Sequence, residues 1–380
     1  MKLELIATST FGLEACVKRE IEALGYRIIQ SENAKITYIG DERAIVKSNL
    51  WLRTADRVLI KMAEFMAYES DDLFQQVKAI PWEQWIPQDG KFIVTCSTVK
   101  SRLRSEPNNQ KTAKKAMVEL LMDAYQTNNL PETGAVYTVK VTLLKDRATI
   151  TLDTTGEGLH KRGYRVESVE APIKETLAAA MVQLSFYKKD RILVDPCCGS
   201  GTIPIEAAMI ARNIAPGLNR KFVSETWDAI PAELWKEERK AAYEAIDYDT
   251  ELHIYGSDIL PSCIHACNVN AEAAGVDGDI QFNVMDVAKL DDTEVAGMRA
   301  GVIVTNPPYG ERIGEQEAIQ KIYKAFKAFC FKHPTWSLFM ITSDKTAEQA
   351  VMERPADRRR KLYNGRIEVC YYQFHGMKVF

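Results

Sequence analysis

Histidine is scarce in this chain, five in 380 residues, and the eight cysteines form no Cys-x-x-Cys pair. The nearest thiols are Cys197-Cys198 and Cys263-x-x-x-Cys267, and without histidine partners neither spacing makes a tetrahedral zinc site. Buried, reduced thiols are the better reading. A nucleophilic cysteine needs an activating base, and the sequence offers Cys197 none. No run of eighteen apolar residues occurs, so no membrane span is expected. The opening Met1-Lys2-Leu3-Glu4-Leu5-Ile6-Ala7 lacks the plan of a signal peptide, which predicts a cytoplasmic chain. Internal repeats and low-complexity segments are absent too. Neither sign of charge dominates: the net charge is -3, and residues 1–160 carry 21 basic and 21 acidic residues. A uniformly basic nucleic-acid-binding domain is thereby excluded, and any such contact has to come from local clusters.

What the chain does have is a strand with an unusual exit. Gly301-Val302-Ile303-Val304-Thr305 is a short apolar run that leads into Asn306-Pro307-Pro308-Tyr309-Gly310. Two prolines donate no ladder hydrogen bond and stiffen the backbone, so the chain leaves the sheet with its carbonyls pointing past the strand end. The Asn306 side-chain oxygen and the Pro307 carbonyl can accept the protons of an exocyclic amine, while the Tyr309 ring can stack on the base that carries it. Asn306, Pro307 and Tyr309 are therefore the candidate catalytic residues, for chemistry on a nucleobase amine. For an isolated tetrapeptide of this kind an ordinary proline-bounded strand end would be the better reading.

The upstream pattern decides between these. Arg191-Ile192-Leu193-Val194-Asp195 is a short apolar strand ending in an acid, followed by Pro196-Cys197-Cys198-Gly199-Ser200-Gly201-Thr202 and a helical run over 203–212. Strand, glycine-rich turn and helix make the first βαβ crossing of a nucleotide-type fold. Gly199 and Gly201 let the backbone approach a ligand closely, and Asp195 sits where a carboxylate would meet a cationic amino-acid moiety. A dinucleotide fingerprint is the competitor, but Pro204 stands where its third glycine belongs; near a helix start, proline is tolerated. Residues 252–258 read as a second strand ending in Asp258, placed for ribose hydroxyls, and residues 279–286 as a third ending in Asp286, which could accept from an adenine amine. Single strand-end aspartates often merely cap helices. Three in succession, then Asn-Pro-Pro-Tyr, follow the motif order of S-adenosylmethionine-dependent amino-methyltransferases.

The whole chain resembles the bacterial THUMP-domain RNA methyltransferases, most closely the 23S ribosomal RNA guanine-N2 branch. The residues that carry the resemblance are Gly158-Leu159-His160-Lys161-Arg162-Gly163-Tyr164-Arg165, Ala171-Pro172-Ile173-Lys174-Glu175-Thr176-Leu177-Ala178-Ala179, the Asp195 loop, and Asn306 through Gly310-Glu311-Arg312. It implies an α/β fold: a Rossmann-like class I methyltransferase domain at 161–380, its sheet mostly parallel with an antiparallel last strand, behind an N-terminal α+β ferredoxin-like module at 1–50 and a THUMP RNA-binding domain at 51–160. It implies S-adenosyl-L-methionine as cofactor, with Lys174, Glu175 and Thr176 lining its pocket, Asp195, Cys197, Gly199, Ser200 and Gly201 around its methionine part, Asp258 on the ribose, Asp286 on the adenine, and Asn306 at the methyl. No metal and no membrane are implied. The substrate is RNA, ribosomal favoured over transfer RNA.

The first half has its own pattern. Residues 3–8 read as a strand, 13–24 as an amphipathic helix stopped by Gly25, 27–30 as a strand, and 35–39 with 43–47 as a hairpin across Gly40-Asp41. From about Trp51 follow a helix, a loop, a strand at 91–96, a helix at 109–125 and a strand pair at 135–143 and 147–153. Residues 97–115 carry Lys100, Arg102, Arg104, Lys111, Lys114 and Lys115 against the single acid Glu106. Such a cluster can grip a phosphate backbone or be a solvated loop; its position resembles the RNA-gripping edge of a THUMP domain, which favours binding. Arg358-Arg359-Arg360-Lys361 is a second cluster, with the same two readings. The insertion 221–245 carries Trp227 and Trp235, expected to pack rather than to stack on bases. Residues 336–342 read as a buried strand and 361–374 as a hairpin with an Asn-Gly turn. The tetrapeptide fits guanine N2 and adenine N6 alike, and a DNA adenine or protein glutamine methyltransferase would use it too. A non-catalytic RNA-binding assembly factor would show decayed loops, whereas every acid, glycine and proline above is present.

Overall fold

The computed structural model describes residues 1–170, 172–309 and 315–378. Ala171 and the Gly310, Glu311 and Arg312 of the strand-exit motif lie outside the described residues. The chain divides into two compact units: Met1–Ser9, Val17–Leu159 and Lys221–Ala241 in the first, and Thr10–Cys16, His160–Arg220 and Ala242–Phe380 in the second.

In chain order the first unit's elements are β1 (Leu3–Thr8), α1 (Glu14–Ala23), β2 (Arg27–Glu32), β3 (Lys35–Gly40), α2 (Glu42–Trp51), β4 (Arg57–Met66), α3 (Ser70–Lys78), β5 (Lys91–Val99), α4 (Glu106–Tyr125), β6 (Val136–Leu144) and β7 (Arg147–Asp153). The described strands form one seven-stranded sheet in the order β2-β3-β1-β4-β7-β6-β5. Two expectations fail here. Residues 43–47 are helix, not the second arm of a hairpin: Asp41 caps α2 by accepting from the Ala44 amide at 2.9 Å, so Gly40-Asp41 starts a helix, and β3 pairs instead with β2 and β1. The chain after Trp51 opens with a strand rather than a helix. Met62, Ala63 and Glu64 lend β4 the look of a helix, but it is zipped on both sides, to β1 and to β7, with a bulge between Lys61 and Ala63. Pairing outweighs propensity there. As a result the ferredoxin-like and THUMP portions share a single sheet, joined through β1 and β4.

Residues 221–241 pack into this unit. Trp227 is buried, stacks on Tyr137 at 4.8 Å and 22°, and donates its indole N–H to the Val136 carbonyl at 3.0 Å; Trp235 stacks on Phe222 at 5.3 Å. Both tryptophans are core residues, as the sequence suggests.

The second unit contains α5 (Glu175–Leu184), β8 (Ile192–Asp195), α6 (Thr202–Ala211), the C-terminal end of α7 (Ala232–Glu244), β9 (Ile254–Asp258), α8 (Pro261–Ala274), β10 (Ile280–Val284), β11 (Gly301–Thr305), α9 (Glu315–Lys332), β12 (Ser337–Thr342), α10 (Ala347–Met352), β13 (Arg358–Asn364) and β14 (Ile367–Phe374). Its sheet runs β10-β9-β8-β11-β12-β14-β13. Every pair from β10 to β12 is parallel, and β14 is antiparallel to both its neighbours. All residues of β11 and β12 are buried, as central strands covered on both faces require. Strand order reverses between β8 and β11, and at such a switch point the loops splay apart and leave a crevice at the carboxyl ends of the strands. The final hairpin differs by one residue from its expected turn: Asn364 pairs with Ile367, so the loop is Gly365-Arg366, and Gly365 supplies the positive φ of 63° at its first position.

Candidate active site

The ends of β8 and β11 meet at the switch point. Asp195 is buried; its Oδ1 accepts from the Thr305 hydroxyl at 2.7 Å and from the Cys197 amide at 3.2 Å, while its Oδ2 has no partner among the described residues. Burial pushes its carboxyl up to about 7, against the two hydrogen bonds, and nearby Asp258 adds to the rise. Cys197 lies on the same loop, and burial next to Asp195 and Asp258 drives its thiol well above the ordinary range, the opposite of what a nucleophile needs.

The glycine loop is pinned to β9. The Gly199 amide donates to Asp258 Oδ2 at 3.1 Å, the Cys198 amide donates to the Ser257 carbonyl at 2.9 Å, and Asp258 Oδ1 accepts from the Leu260 amide at 3.0 Å. Gly201, at φ 82°, opens α6, and a Cβ there would come within 3.2 Å of the Cys267 sulfur and the Phe282 ring. Asp286 lies two residues beyond β10, is exposed, and caps a 3₁₀ turn through the Ala288 amide at 2.9 Å. Ile259, Leu260 and Val284, all exposed, add apolar surface at the carboxyl ends of β9 and β10.

Arg165 and Asn270 organise the pocket, and sequence reasoning gave neither a role. The Arg165 guanidinium donates to Glu175 Oε1 (2.8 Å), Ser200 Oγ (2.9 Å), the Ile173 carbonyl (3.0 Å) and Thr202 Oγ1 (3.0 Å). One planar fork thus ties the start of α5 to the glycine loop. Glu175 and Ser200 serve this clamp. Asn270, fully buried on α8, accepts from the amides of Val166 and Glu167 and donates to the Glu167 and Ser200 carbonyls. Arg165 stands inside the quoted motif and could have been flagged by its charge; a lone asparagine in a helix carries no such signal. Thr176 is buried with its hydroxyl unpartnered among the described residues, and Lys174 forms the N-cap position of α5.

Beyond Thr305 the exit motif turns back on itself. The Tyr309 hydroxyl donates to Asn306 Oδ1 at 2.7 Å, and Asn364 Nδ2 donates to that hydroxyl at 3.3 Å. Pro307 is buried and Pro308 exposed. The Asn306 oxygen keeps a second lone pair for another donor.

In the first unit the six basic candidates separate. Lys100, Arg102 and Arg104 line one open depression with Thr98, Ser101 and Asp146, and Arg102 lies over the Tyr68 ring at 4.8 Å. Lys111, Lys114 and Lys115 lie on α4 outside it; Lys114 pairs with Glu132 at 3.1 Å, and Lys115 approaches Glu119 at 3.8 Å. The helix itself begins three residues earlier than expected, on a Ser105 cap with Pro107 in its first turn. In the second cluster Arg359 pairs with Glu348, Arg360 with the Gly12 carbonyl and Lys361 with Glu368, so three of its four charges have partners within the second unit.

Comparison with known proteins identifies this arrangement. Residues 162–373 match the family described as RMKL-like, methyltransferase domain. The chain belongs to this methyltransferase family. Residues 4–59 further match the RlmL ferredoxin-like domain and residues 67–153 the THUMP domain. The chain is 48% identical over 375 residues, 98% of its length and 96% of the relative's, to "Putative RNA methyltransferase YpsC" of Bacillus subtilis (strain 168). Its fold is similar to "a predicted N6-adenine-specific DNA methylase" from Listeria monocytogenes (44% identity, 99% and 97% of the two chains, TM-score 0.94) and to SMU.472, "a putative methyltransferase complexed with SAH" (41% identity, 100% and 99%, TM-score 0.93). The RMKL-like family's cofactor is S-adenosyl-L-methionine, and the residues present fit it. Among the described residues, Asp195 Oδ2 and Thr176 Oγ1 are buried polar atoms without partners, and an ammonium group beside Asp195 would supply the carboxylate's missing counter-charge.

Proposed function

We propose that this methyltransferase acts on an exocyclic amine of a base in RNA, with guanine N2 of 23S ribosomal RNA as the favoured target. The observation that carries the reading is the Asn306 exit, joined through Thr305 and Asp195 to the cofactor loop. The cofactor brings an electrophilic methyl on a sulfonium; the chain's own residues position the acceptor. The lone pair of an aryl amine is delocalised into its ring, so attack requires the nitrogen to rehybridise. Asn306 Oδ1 and the Pro307 carbonyl accept its two protons and favour that geometry, which is transition-state electrostatics together with in-line placement. As the N–C bond forms and the C–S bond breaks, the nitrogen becomes acidic and releases a proton, so no strong base is required. The base has to be unpaired or flipped, and the Tyr309 ring offers it a stacking face.

RNA rather than DNA is supported by the THUMP match, by the RlmL-like ferredoxin match and by the name of the Bacillus relative. The Lys100, Arg102 and Arg104 depression is the phosphate-binding surface in this reading, and the cytoplasm is the compartment that goes with the substrate. The Listeria protein's name favours adenine N6 of DNA, a second reading that the same tetrapeptide serves. Mass spectrometry of nucleosides in RNA from cells with and without the gene tests the first: one N2-methylguanosine should disappear. Transfer of labelled methyl groups that survives RNase but not DNase overturns it in favour of the second.

A further inference from the structure

Asn364 ends β13, and β13 runs in the same direction as β11, because β14 is antiparallel to both β13 and β12 while β12 is parallel to β11. The last hairpin therefore opens on the same edge of the sheet as the Asn306 exit, and the Asn364 carboxamide reaches the Tyr309 hydroxyl there at 3.3 Å. Tyr363 lies one residue back, on the opposite face of the strand. Half-buried, its ring meets Phe11 edge to face, with centroids 6.2 Å apart and planes at 74°. The Phe11 segment, Thr10–Cys16 of the second unit, is fastened to β13: Arg360 donates to the Gly12 carbonyl at 2.9 Å, and a Cβ on Gly12 would meet the Lys361 carbonyl oxygen at 2.6 Å. Leu13 is buried just beyond, yet Phe11 keeps 42% of its surface exposed. The neighbours of Phe11 are tied down while its own ring stays open to solvent.

Positive charge gathers at the same place. Residues 358–374 carry five basic side chains against the single acid Glu368. Lys361 Nζ lies 5.6 Å from the Tyr363 ring centroid and pairs with Glu368 at 2.6 Å, and Lys345 and Arg366 are exposed. Lys361 first, then Lys345 and the Tyr363 hydroxyl, hold the Glu368 carboxyl below its ordinary range, so one acid serves two lysines. From this we infer that Phe11 and Tyr363 form an aromatic corner that stacks the base of an RNA nucleotide next to the target, its phosphate drawn by Lys345, Lys361 and Arg366. The inference rests on the RNA reading above. Two rings nearly at right angles give a flat base one face to stack on and one edge to abut, and every base has such a face, so the corner selects single strands rather than a sequence. A double helix keeps its bases stacked inside and presents none of them to it. The target base has to leave its stack to reach Asn306 and Tyr309, and a neighbour held at Tyr363 offsets part of the stacking that is lost.

The test uses the full chain, labelled S-adenosyl-L-methionine, and RNA from cells lacking the gene. Phe11→Leu and Tyr363→Leu should each raise KM for RNA about tenfold, the scale of one lost stacked base, with kcat at saturating RNA and cofactor Kd unchanged. Tyr363→Phe, which keeps the ring, should retain the wild-type KM. Stacking carries no charge, so the leucine variants should keep the wild-type slope of log affinity against log salt, whereas Lys345→Ala with Lys361→Ala should lower it by about 1–2. A wild-type KM in Tyr363→Leu, or an equal loss in Tyr363→Phe, overturns the inference. A second measurement needs neither turnover nor a variant. Single-stranded oligouridylate carrying thiouridine, cross-linked to the wild-type chain by long-wavelength light, should mark Phe11 or Tyr363 in mass spectrometry. Cross-links that miss both residues overturn the corner. Wild-type protein that methylates no RNA overturns the proposed function instead, and the cross-link still decides the corner.

Discussion

Thr305 donates its hydroxyl to Asp195 Oδ1 at 2.7 Å, with both side chains buried. Thr305 is the last residue of β11 and Asp195 the last of β8, the two strands between which the chain order reverses. The bond therefore couples the residue that precedes the proposed amine acceptor to the carboxylate that fits the cofactor's ammonium.

The Asp195 carboxyl, held up at about 7 chiefly by burial, makes both stability and binding depend on pH. In the unfolded chain an aspartate titrates near ~4, so between about 4 and 7 the folded state keeps a proton that the unfolded state has lost. Stability of the ligand-free protein should fall as pH rises across that window and level off above it. Asp195→Asn removes this dependence, and thermal melts of both proteins from pH 5 to 8 measure the difference. Cofactor binding favours the carboxylate, so affinity should rise as pH passes through 7, with proton release below it. Calorimetry in two buffers of different ionisation enthalpy detects the proton; none released would count against the Asp195–ammonium contact.

Thr305→Val removes a bond that lowers the Asp195 pKa while keeping the side chain's shape. The midpoint of the affinity-against-pH curve should move up, at a stability cost of about 1 kcal/mol. An unshifted midpoint would show that Thr305 does not set the charge of Asp195.

Arg165→Lys keeps the charge but not the fork. A lysine cannot span Glu175, Ser200, Ile173 and Thr202 at once. Chemical denaturation should show a loss of about 2–4 kcal/mol, typical of removing one partner from a buried charged network. Cofactor affinity should fall by about tenfold, an order-of-magnitude expectation for loosening a second layer of contacts. Wild-type affinity would mean that the glycine loop holds its shape without the clamp.

Asn306→Ala should lower kcat about 10²-fold or more, the scale of removing one preorganised electrostatic interaction, while cofactor Kd stays nearly unchanged. Filter-bound label and calorimetry report the two separately. Full activity in this variant sinks the amine-acceptor role.

Replacing Lys100, Arg102 and Arg104 together with alanine should weaken RNA binding and reduce the slope of log affinity against log salt by about 2–3, at roughly one unit for each phosphate no longer neutralised. Lys114→Ala with Lys115→Ala should change it less, since both lie on α4 outside the depression lined by Lys100, Arg102 and Arg104. Equal slopes for both variants would place the RNA backbone elsewhere.

Much of the second unit was legible in the sequence because its signals are local. An apolar run followed by an acid, a glycine-rich turn leading into a helix with proline in its first turn, and a strand closed by Asn-Pro-Pro-Tyr each follow from what a few adjacent residues can do. The first unit was less legible. Residues 41–66 carried a capping aspartate that also looks like a turn, resolved by its bond to the Ala44 amide, and a strand whose residues favour helix, resolved by its partners β1 and β7.

The amino-acid sequence by itself determined the strand-end chemistry: which acids, glycines and amide are available, and in what order along the chain. Tertiary structure decided how those groups are electrically and geometrically set. Burial at a strand junction, not identity, raises the Asp195 carboxyl, and Arg165 and Asn270 acquire their tasks only where distant segments are brought within hydrogen-bond reach. Hydrogen bonds and desolvation act over a few ångströms in space, whereas sequence motifs record proximity along the chain.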